Sequence, residues 1–173
     1  MIVVMGIDPG VASTGFGVVR AAGGKMSAVD GGVIESGADE PTEGRLARIH
    51  GSVAELLTWH QPVALALEDV YFGKNVRSAM GVGQARGVAL LAAAQRDIPC
   101  FDYTPQAVKM AVCGTGSAAK RQVQRMVGVL LGLPSPPASD HAADALAVAI
   151  CHAGHARPDR AVTVQTPPEA RVG

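Results

Sequence analysis

Three apolar runs of strand length open the chain, separated by short polar turns. They cover residues 2–8, 14–20 and 26–36. The Pro9-Gly10 turn predicts that the first two pair antiparallel. In the third run, Gly31-Gly32 predicts a β-bulge. The start of the chain therefore predicts an antiparallel hairpin at the edge of a sheet.

Beyond residue 40 the apolar spacing is that of helices alternating with short strands. Leu46, Ile49 and Val53 begin a helical repeat that Pro62 ends. The predicted elements are a helix at about 42–60, a strand at 63–68, a helix at 78–96 and a strand at 99–103. This order predicts an α/β fold with a mixed five-stranded sheet, in which crossover helices join the parallel strands and flank the sheet.

Three more helices are predicted after the fifth strand, each at a residue typical of a helix N-terminus. Thr104 followed by Pro105 predicts the first. Ser117 predicts the second, and Ser139 predicts the third over about 140–153. We therefore expect the second half of the chain to be largely helical.

Size and composition agree with one folded domain, since 48% of the 173 residues are hydrophobic. We expect residues 1–153 to form this domain. Residues 154–173 contain three prolines and little periodicity, which predicts a flexible tail.

No apolar run reaches the ~20 residues that a membrane span needs, and no signal-peptide pattern is visible. Three cysteines without a close pair predict reduced, buried thiols in a cytoplasmic protein.

Charge is unevenly distributed although the formal net charge is zero. Residues 28–70 contain eight acids and two bases, whereas residues 71–130 contain eight bases and two acids. Such polarity can place a basic face beside an acidic pocket, as in many nucleic-acid enzymes. Ordinary solvated helix faces would give the same distribution, so charge alone does not choose between the two interpretations.

Acidic residues occupy positions that a mixed sheet would bring together. Asp8 ends the first strand and Glu68 ends the strand after the first helix. Because ligands gather at strand ends in open α/β sheets, the two converge if their strands are neighbours. Asp144 lies near the start of the last helix, and at ~100° per residue Asp140 and His141 fall on either side of it.

Carboxylates this close repel each other unless they are protonated or bridged by a cation. Hard oxygen ligands suit Mg²⁺ or Mn²⁺, and two such ions roughly 3.5–4 Å apart support phosphoryl transfer. Lysine and arginine side chains nearby would hold phosphates. The combination of acids and bases therefore matches a phosphodiester substrate.

Each of these residues also has an ordinary structural explanation. Asp8 could be a turn residue, Glu68 a solvated strand end, and Asp140 a favourable charge at a helix N-terminus. His141 could be a surface or core histidine. Asp144 fits such a role least, because its helix is rich in alanine and apolar residues. The combination, and no single member, favours a metal site.

Eight short motifs occur in order along residues 1–152. They are GIDPG at 6–10, TGFGV at 14–18, LED at 67–69, KN at 74–75, GQARGVA at 83–89, VK at 108–109, GSAAK at 116–120 and AADALAVAI at 142–150. As a set they resemble the RuvC family of bacterial crossover-junction endodeoxyribonucleases. The resemblance implies a ribonuclease-H-like fold, a homodimer and metal-holding residues at Asp8, Glu68, His141 and Asp144.

The resemblance also implies two Mg²⁺ or Mn²⁺ ions per subunit and a catalytic role for Lys120. One family pattern has aspartate at the position of His141, although histidine also occurs there. Asp140 is an alternative ligand. We predict that neutral His141 binds metal and that Asp140 does not.

DNA contacts are implied at several aromatic and basic positions. Tyr71 matches an aromatic position that stacks on bases, and Phe72 could share this role. Core or edge packing is the alternative for both aromatics. Lys109 and Lys120 match basic positions near the scissile phosphate. The full set of predicted DNA contacts is Tyr71, Phe72, Lys74, Arg77, Lys109, Lys120 and Arg121.

The implied function is resolution of four-way (Holliday) DNA junctions by paired symmetric nicks, in recombination and repair, alongside a branch-migration helicase complex. Three alternatives stay open. GIDPGVASTG also resembles the phosphate-binding hairpin of an ATP-binding module. A non-catalytic junction-binding protein and a nuclease acting on structured RNA are the others.

The glycine-rich stretch at 81–87 is not a phosphate loop, because it lacks a preceding strand and a Lys-Ser/Thr ending. Small residues at Gly83, Gly87 and Ala94 instead predict close helix packing. This packing could lie within the monomer or across a dimer.

Overall fold

The computed structural model describes residues 1–37, 39–69 and 76–155, with side chains from residue 79 onward in the last range. These residues form a five-stranded sheet flanked by helices. The strands are β1 (Ile2–Asp8), β2 (Ser13–Ala22), β3 (Lys25–Glu35), β4 (Ala64–Glu68) and β5 (Cys100–Tyr103). The helices are α1 (Thr42–His60), α2 (Val76–Ala94), α3 (Pro105–Cys113), α4 (Lys120–Leu131) and α5 (Asp140–His155).

The strand order is β3-β2-β1-β4-β5, with β1 at the centre of the sheet. β2 pairs antiparallel with both β1 and β3, whereas β4 pairs parallel with β1 and β5. The mixed five-stranded α/β sheet expected from the sequence is thus confirmed. Because Ile7 pairs with Leu67, β1 and β4 finish side by side at the same edge of the sheet.

The β-bulge lies earlier in β3 than the glycine pair suggested. Val29 is the extra residue, whereas Gly31 and Gly32 pair with β2 in regular register. Gly32 has a different reason to be glycine, since a Cβ there would lie 3.0 Å from the ring of Phe16. The prediction of a bulge at Gly31-Gly32 was therefore wrong.

Alternate residues of the central strands supply two cores on opposite faces of the sheet. Val4 and Ala66 pack in the core that contains α3, α4 and α5. Met5 and Leu65 pack in the core that contains α1 and α2. Burial on both faces explains why these strands read as continuous apolar runs.

Helix α5 lies directly against β1 and β2 because glycines leave room for its backbone. A Cβ on Gly6 would lie 2.0 Å from the carbonyl oxygen of Ala145. A Cβ on Gly15 would lie 2.1 Å from the carbonyl oxygen of His141. This close approach brings the start of α5 to the end of β1.

Two of the three predicted helix caps are confirmed. The Thr104 hydroxyl accepts a backbone N–H at 3.2 Å, and the Ser139 hydroxyl accepts one at 3.4 Å. Ser117 was wrong as a cap, because α4 begins after Ala119, which has no side-chain acceptor. The Ser117 hydroxyl instead lies 3.0 Å from that of Thr115.

The cysteines are free thiols, but burial was predicted correctly only in part. Cys151 is buried and Cys113 is partly buried, whereas Cys100 is exposed at the start of the edge strand β5. Among the described residues, no helix is long and apolar enough to cross a membrane. Helix α5 runs to His155, and residues 156–173 lie outside the described part, so the division into a domain and a tail stays a prediction.

Candidate active site

Asp8 and Glu68 end two neighbouring parallel strands, so their carboxylates share one edge of the sheet. Burial raises the pKa of Glu68, and the negative charges of Asp144 and Asp8 raise it further. Burial also raises the pKa of Asp8; a hydrogen bond to His141 partly offsets this, and the charge of Asp144 adds to it. The three carboxylates therefore converge, and the charge of Asp144 disfavours ionisation of both Asp8 and Glu68.

His141 and Asp144 reach this edge from the first turns of α5. Nδ1 of His141 lies 2.7 Å from Oδ2 of Asp8. With Nδ1–H donating to the carboxylate, the Nε2 lone pair of the ring is left to bind a metal ion. Metal-binding histidines commonly use their second nitrogen in this way.

Lys120 stands at the start of α4 and faces the same acids. Its ammonium lies 3.1 Å from Oδ2 of Asp144 and 3.2 Å from Oδ2 of Asp140. Partial burial lowers the pKa of Lys120, but hydrogen bonds to Asp144 and Asp140 outweigh this and raise it overall. The hydrogen bond from Lys120, together with its charge, lowers the pKa of Asp140.

A cavity of about 200 Å³ lies beside these groups. Glu68, Lys109, Lys120 and Asp144 line it, together with apolar residues of α3, α4 and α5. The charge of Lys109, which lines the same cavity, partly offsets the rise in the pKa of Glu68. A larger cavity of about 770 Å³ between β3 and α1 lies away from the acids, and we assign it no role in the chemistry.

The donor set fits a divalent cation by its chemistry. Three converging carboxylates and an imidazole offer oxygen and nitrogen ligands of the kind that Mg²⁺ and Mn²⁺ accept. Within the described residues, no three His, Cys, Asp or Glu side chains enclose a common point as they now lie. The ammonium of Lys120 lies beside Asp144 and supplies a positive charge there, as a bound metal ion would. A metal ion bound to Asp144 would share that carboxylate with Lys120 or displace the ammonium from it.

Arg86 is a supporting residue that the sequence did not identify. Its guanidinium donates to the backbone carbonyl of Glu68 at 3.4 Å and also contacts Asp102. The side chain therefore ties the end of β4 to β5 and α2. Arg86 lies in the GQARGVA motif, but nothing in that motif indicates a partner 18 residues earlier in the chain.

The predicted DNA contacts divide into described and undescribed positions. Lys109 and Lys120 lie in the acidic cavity, and Arg121 lines a separate cavity on α4 together with Arg125. Tyr71, Phe72 and Lys74 lie outside the described residues, as does the side chain of Arg77. The roles of all seven residues stay predictions.

Comparisons with known proteins agree with this geometry. The family model described as crossover junction endodeoxyribonuclease RuvC matches residues 4–152. The RuvC protein of Pelotomaculum thermopropionicum is 51% identical over 152 residues, covering 88% of this chain and 93% of that protein. The RuvC protein of Chloroflexus aggregans is 51% identical over 149 residues, covering 86% and 91%.

Solved structures of Holliday junction resolvases have a similar fold. Thermus thermophilus RuvC in complex with Holliday junction substrate has a TM-score of 0.87 at 42% identity, covering 91% of this chain and 96% of that chain. The yeast mitochondrial Holliday junction resolvase Ydc2, at 12% identity and a TM-score of 0.62, shares the fold; it covers 87% of this chain and 78% of that chain. The chain therefore has a ribonuclease-H-like fold and belongs to the RuvC family of crossover junction endodeoxyribonucleases, which are metal-dependent nucleases that resolve Holliday junctions.

Proposed function

We propose that this endodeoxyribonuclease uses Asp8, Glu68, His141 and Asp144 to hold two divalent ions per subunit. The observation that carries the proposal is the convergence of three carboxylates, in which burial and the nearby charge of Asp144 raise the pKa values of Asp8 and Glu68. A bound cation would relieve that repulsion. Divalent ions at such a site activate a water molecule and stabilise the leaving oxygen of a phosphodiester.

The protein's own side chains supply the remaining steps. Lys109 and Lys120 contact the phosphate beside the acids, as their place in the small cavity supports. The neutral ring of His141 offers one nitrogen while Asp8 orients the other. Arg86 holds the backbone of Glu68 in place. Hydrolysis leaves a 5′-phosphate and a 3′-hydroxyl on the cut strand.

The ions are Mg²⁺ or Mn²⁺ in this proposal. Carboxylate oxygens serve both, but Mg²⁺ strongly prefers oxygen, whereas nitrogen ligands suit Mn²⁺ better. Where one family pattern has an aspartate, His141 offers a nitrogen ligand without a negative charge. We therefore expect cleavage to be faster with Mn²⁺ than with Mg²⁺.

The substrate is four-way junction DNA, bound by a homodimer that nicks two strands symmetrically. The Thermus thermophilus relative, at 42% identity, has been solved with a Holliday junction substrate. Twofold protein symmetry matches a junction with two equivalent strands. A branch-migration helicase complex as partner and a cytoplasmic location rest on family membership alone.

The exposed face of α2 is the surface that we assign to the dimer. Gly83 and Gly87 lie on this face, and a Cβ on either would meet no described atom within 4 Å. No contact with the described part of the monomer therefore requires glycine at these two positions. Met80 and Leu91 flank them at helical spacing and are 62% and 51% exposed. A second copy of the helix would bury this apolar face.

The function is tested with a synthetic mobile four-way junction, incubated with Mg²⁺ or Mn²⁺ and resolved on a denaturing gel. We expect paired nicks at symmetric positions, with a linear duplex of the same sequence and a structured RNA left uncut. Asp144→Asn is the matched control for contaminating nuclease. Cleavage of the RNA in preference to the junction would contradict the proposed substrate.

The dimer is tested by sedimentation of the Leu91→Asp variant. A charge on the shared face should shift the protein toward monomer, because the buried carboxylate would repel its twofold mate. Val129→Asp is the control, since Val129 on α4 is 72% exposed and lies on another helix. Equal association of both variants would reject α2 as the interface.

A further inference from the structure

Lys120 is shared between two carboxylates one turn apart on α5. Its ammonium lies 3.1 Å from Asp144 and 3.2 Å from Asp140. The two acids are not equivalent, because the Asp144 side chain is 27% exposed and faces the acidic edge, whereas the Asp140 side chain is 60% exposed. One ammonium therefore bridges an inner acid and an outer acid.

Gln124 fixes the outer acid. Its side-chain amide donates to Oδ1 of Asp140, while Lys120 contacts Oδ2 of the same carboxylate. Lys120 and Gln124 lie four residues apart on α4, so both donors project from one face of that helix. The Asp140 carboxylate is thus held at both oxygens by α4.

A metal ion that binds Asp144 competes with Lys120 for the same carboxylate. The lysine side chain is long and flexible, so an ammonium displaced from Asp144 by the metal would leave the site unless a second acid held it. We propose that Asp140, oriented by Gln124, is the positioning residue that retains the Lys120 ammonium beside the reacting phosphate when Asp144 binds metal. This inference rests on the proposed function.

The position of the ammonium is what Asp140 contributes, since exposed ion pairs add little to folding stability. Removal of Asp140 leaves Lys120 with Asp144 alone, so the ammonium competes harder with the cation. Metal binding should then weaken even without DNA. The effect should vanish when Lys120 is absent, because Asp140 acts only through Lys120.

A double-mutant cycle measures this coupling on the full chain. Calorimetric titration with Mn²⁺ alone compares wild type, Asp140→Ala, Lys120→Ala and the double variant. We expect Asp140→Ala to weaken Mn²⁺ binding by about threefold or more in the wild-type background and by less than about twofold in the Lys120→Ala background. Equal weakening in both backgrounds, or none in either, would overturn the inference.

Junction cleavage supplies an independent readout. Asp140→Ala should lower kcat about threefold or more with KM unchanged, and Gln124→Ala should act in the same direction with a smaller effect. Asp140→Asn, which keeps an oxygen for Lys120, should recover part of the loss. Glu55→Ala removes an exposed carboxylate from α1, on the opposite face of the sheet, and should have no effect.

The outcomes separate this inference from the proposed function. Failure of the wild-type protein to bind Mn²⁺ or to cut a junction would contradict the function itself. Normal binding and cleavage by wild type, with additive effects of Asp140→Ala and Lys120→Ala, would reject only the positioning role. Thermal melts of each variant show whether a loss comes from unfolding.

Discussion

Nδ1 of His141 lies 2.7 Å from Oδ2 of Asp8, although the two residues are 133 positions apart in the chain. This contact joins the start of α5 to the end of the central strand. Asp8 brings a carboxylate oxygen to the site, and His141 brings a ring nitrogen. The acidic edge therefore depends on how closely α5 approaches β1.

The carboxylates are the first prediction. Asp8→Asn, Glu68→Gln and Asp144→Asn should each keep junction binding but lose cleavage. Loss of a side chain that hydrogen-bonds to a metal ligand lowers metal affinity or activity roughly 10–100-fold. Loss of the ligand itself should therefore lower the cleavage rate about 100-fold or more. Gel-shift and nicking assays on one junction separate binding from cleavage. Nicking within tenfold of wild type by any of these variants would remove that residue from the site.

His141 is the second prediction. His141→Ala should lose most activity, and His141→Asp should shift the preference from Mn²⁺ toward Mg²⁺, because it replaces nitrogen with an oxygen ligand. Asp140→Ala, on the same turn, should lower cleavage only about threefold, far less than the loss of a metal ligand. The check is the ratio of cleavage rates in the two metals for each variant. A dead Asp140→Ala beside a normal His141→Ala would reverse the ligand assignment.

Glu68 gives a third prediction, on stability and pH. Its pKa in the folded state is raised above the ordinary 4.5, so folding favours the protonated carboxyl. That contribution is complete below the ordinary pKa and is lost as pH rises through the raised value. Without metal, Glu68→Gln should therefore melt at a higher temperature than wild type at pH 7. The difference should shrink toward pH 4.

Melting curves in a chelating buffer check this sign. Addition of Mn²⁺ should stabilise wild type more than the variant, because only wild type has the full set of ligands. A Glu68→Gln protein less stable than wild type at every pH would show that burial and repulsion do not disfavour this carboxylate.

Gly15 gives the fourth prediction. A Cβ there would lie 2.1 Å from the backbone carbonyl of His141, so Gly15→Ala must displace the start of α5. We expect a loss of about 1–3 kcal/mol in the free energy of unfolding together with reduced cleavage. The control is Gly51→Ala in α1, where a Cβ meets no described atom within 4 Å and alanine favours the helix. Denaturant unfolding compares the two, and equal stabilities would refute the close-contact argument.

Much of the fold could be predicted because the decisive signals are local. Apolar runs located all five strands, and each acid at a strand end was visible from periodicity alone. The sequence placed Asp8 and Glu68 together only if their strands were neighbours. The parallel pairing of β1 with β4 in the structure supplies that condition.

Other features depended on residues that are distant in the chain. The extra residue of the bulge is Val29, because pairing with β2, and not the glycine content of β3, decides the register. Cys100 is exposed because its strand lies at the sheet edge, which no local pattern reveals. Helix α4 begins at Lys120, not near Ser117.

The sequence by itself determined the elements, the family and the acidic residues, since periodicity and ordered motifs are properties of neighbouring positions. Only the tertiary structure decided which side chains support those acids. Arg86 reaches the backbone of Glu68, and Gln124 reaches Asp140, across gaps of 18 and 16 residues. Such contacts arise where separate helices pack on one sheet, so their partners are chosen by packing geometry and not by spacing along the chain.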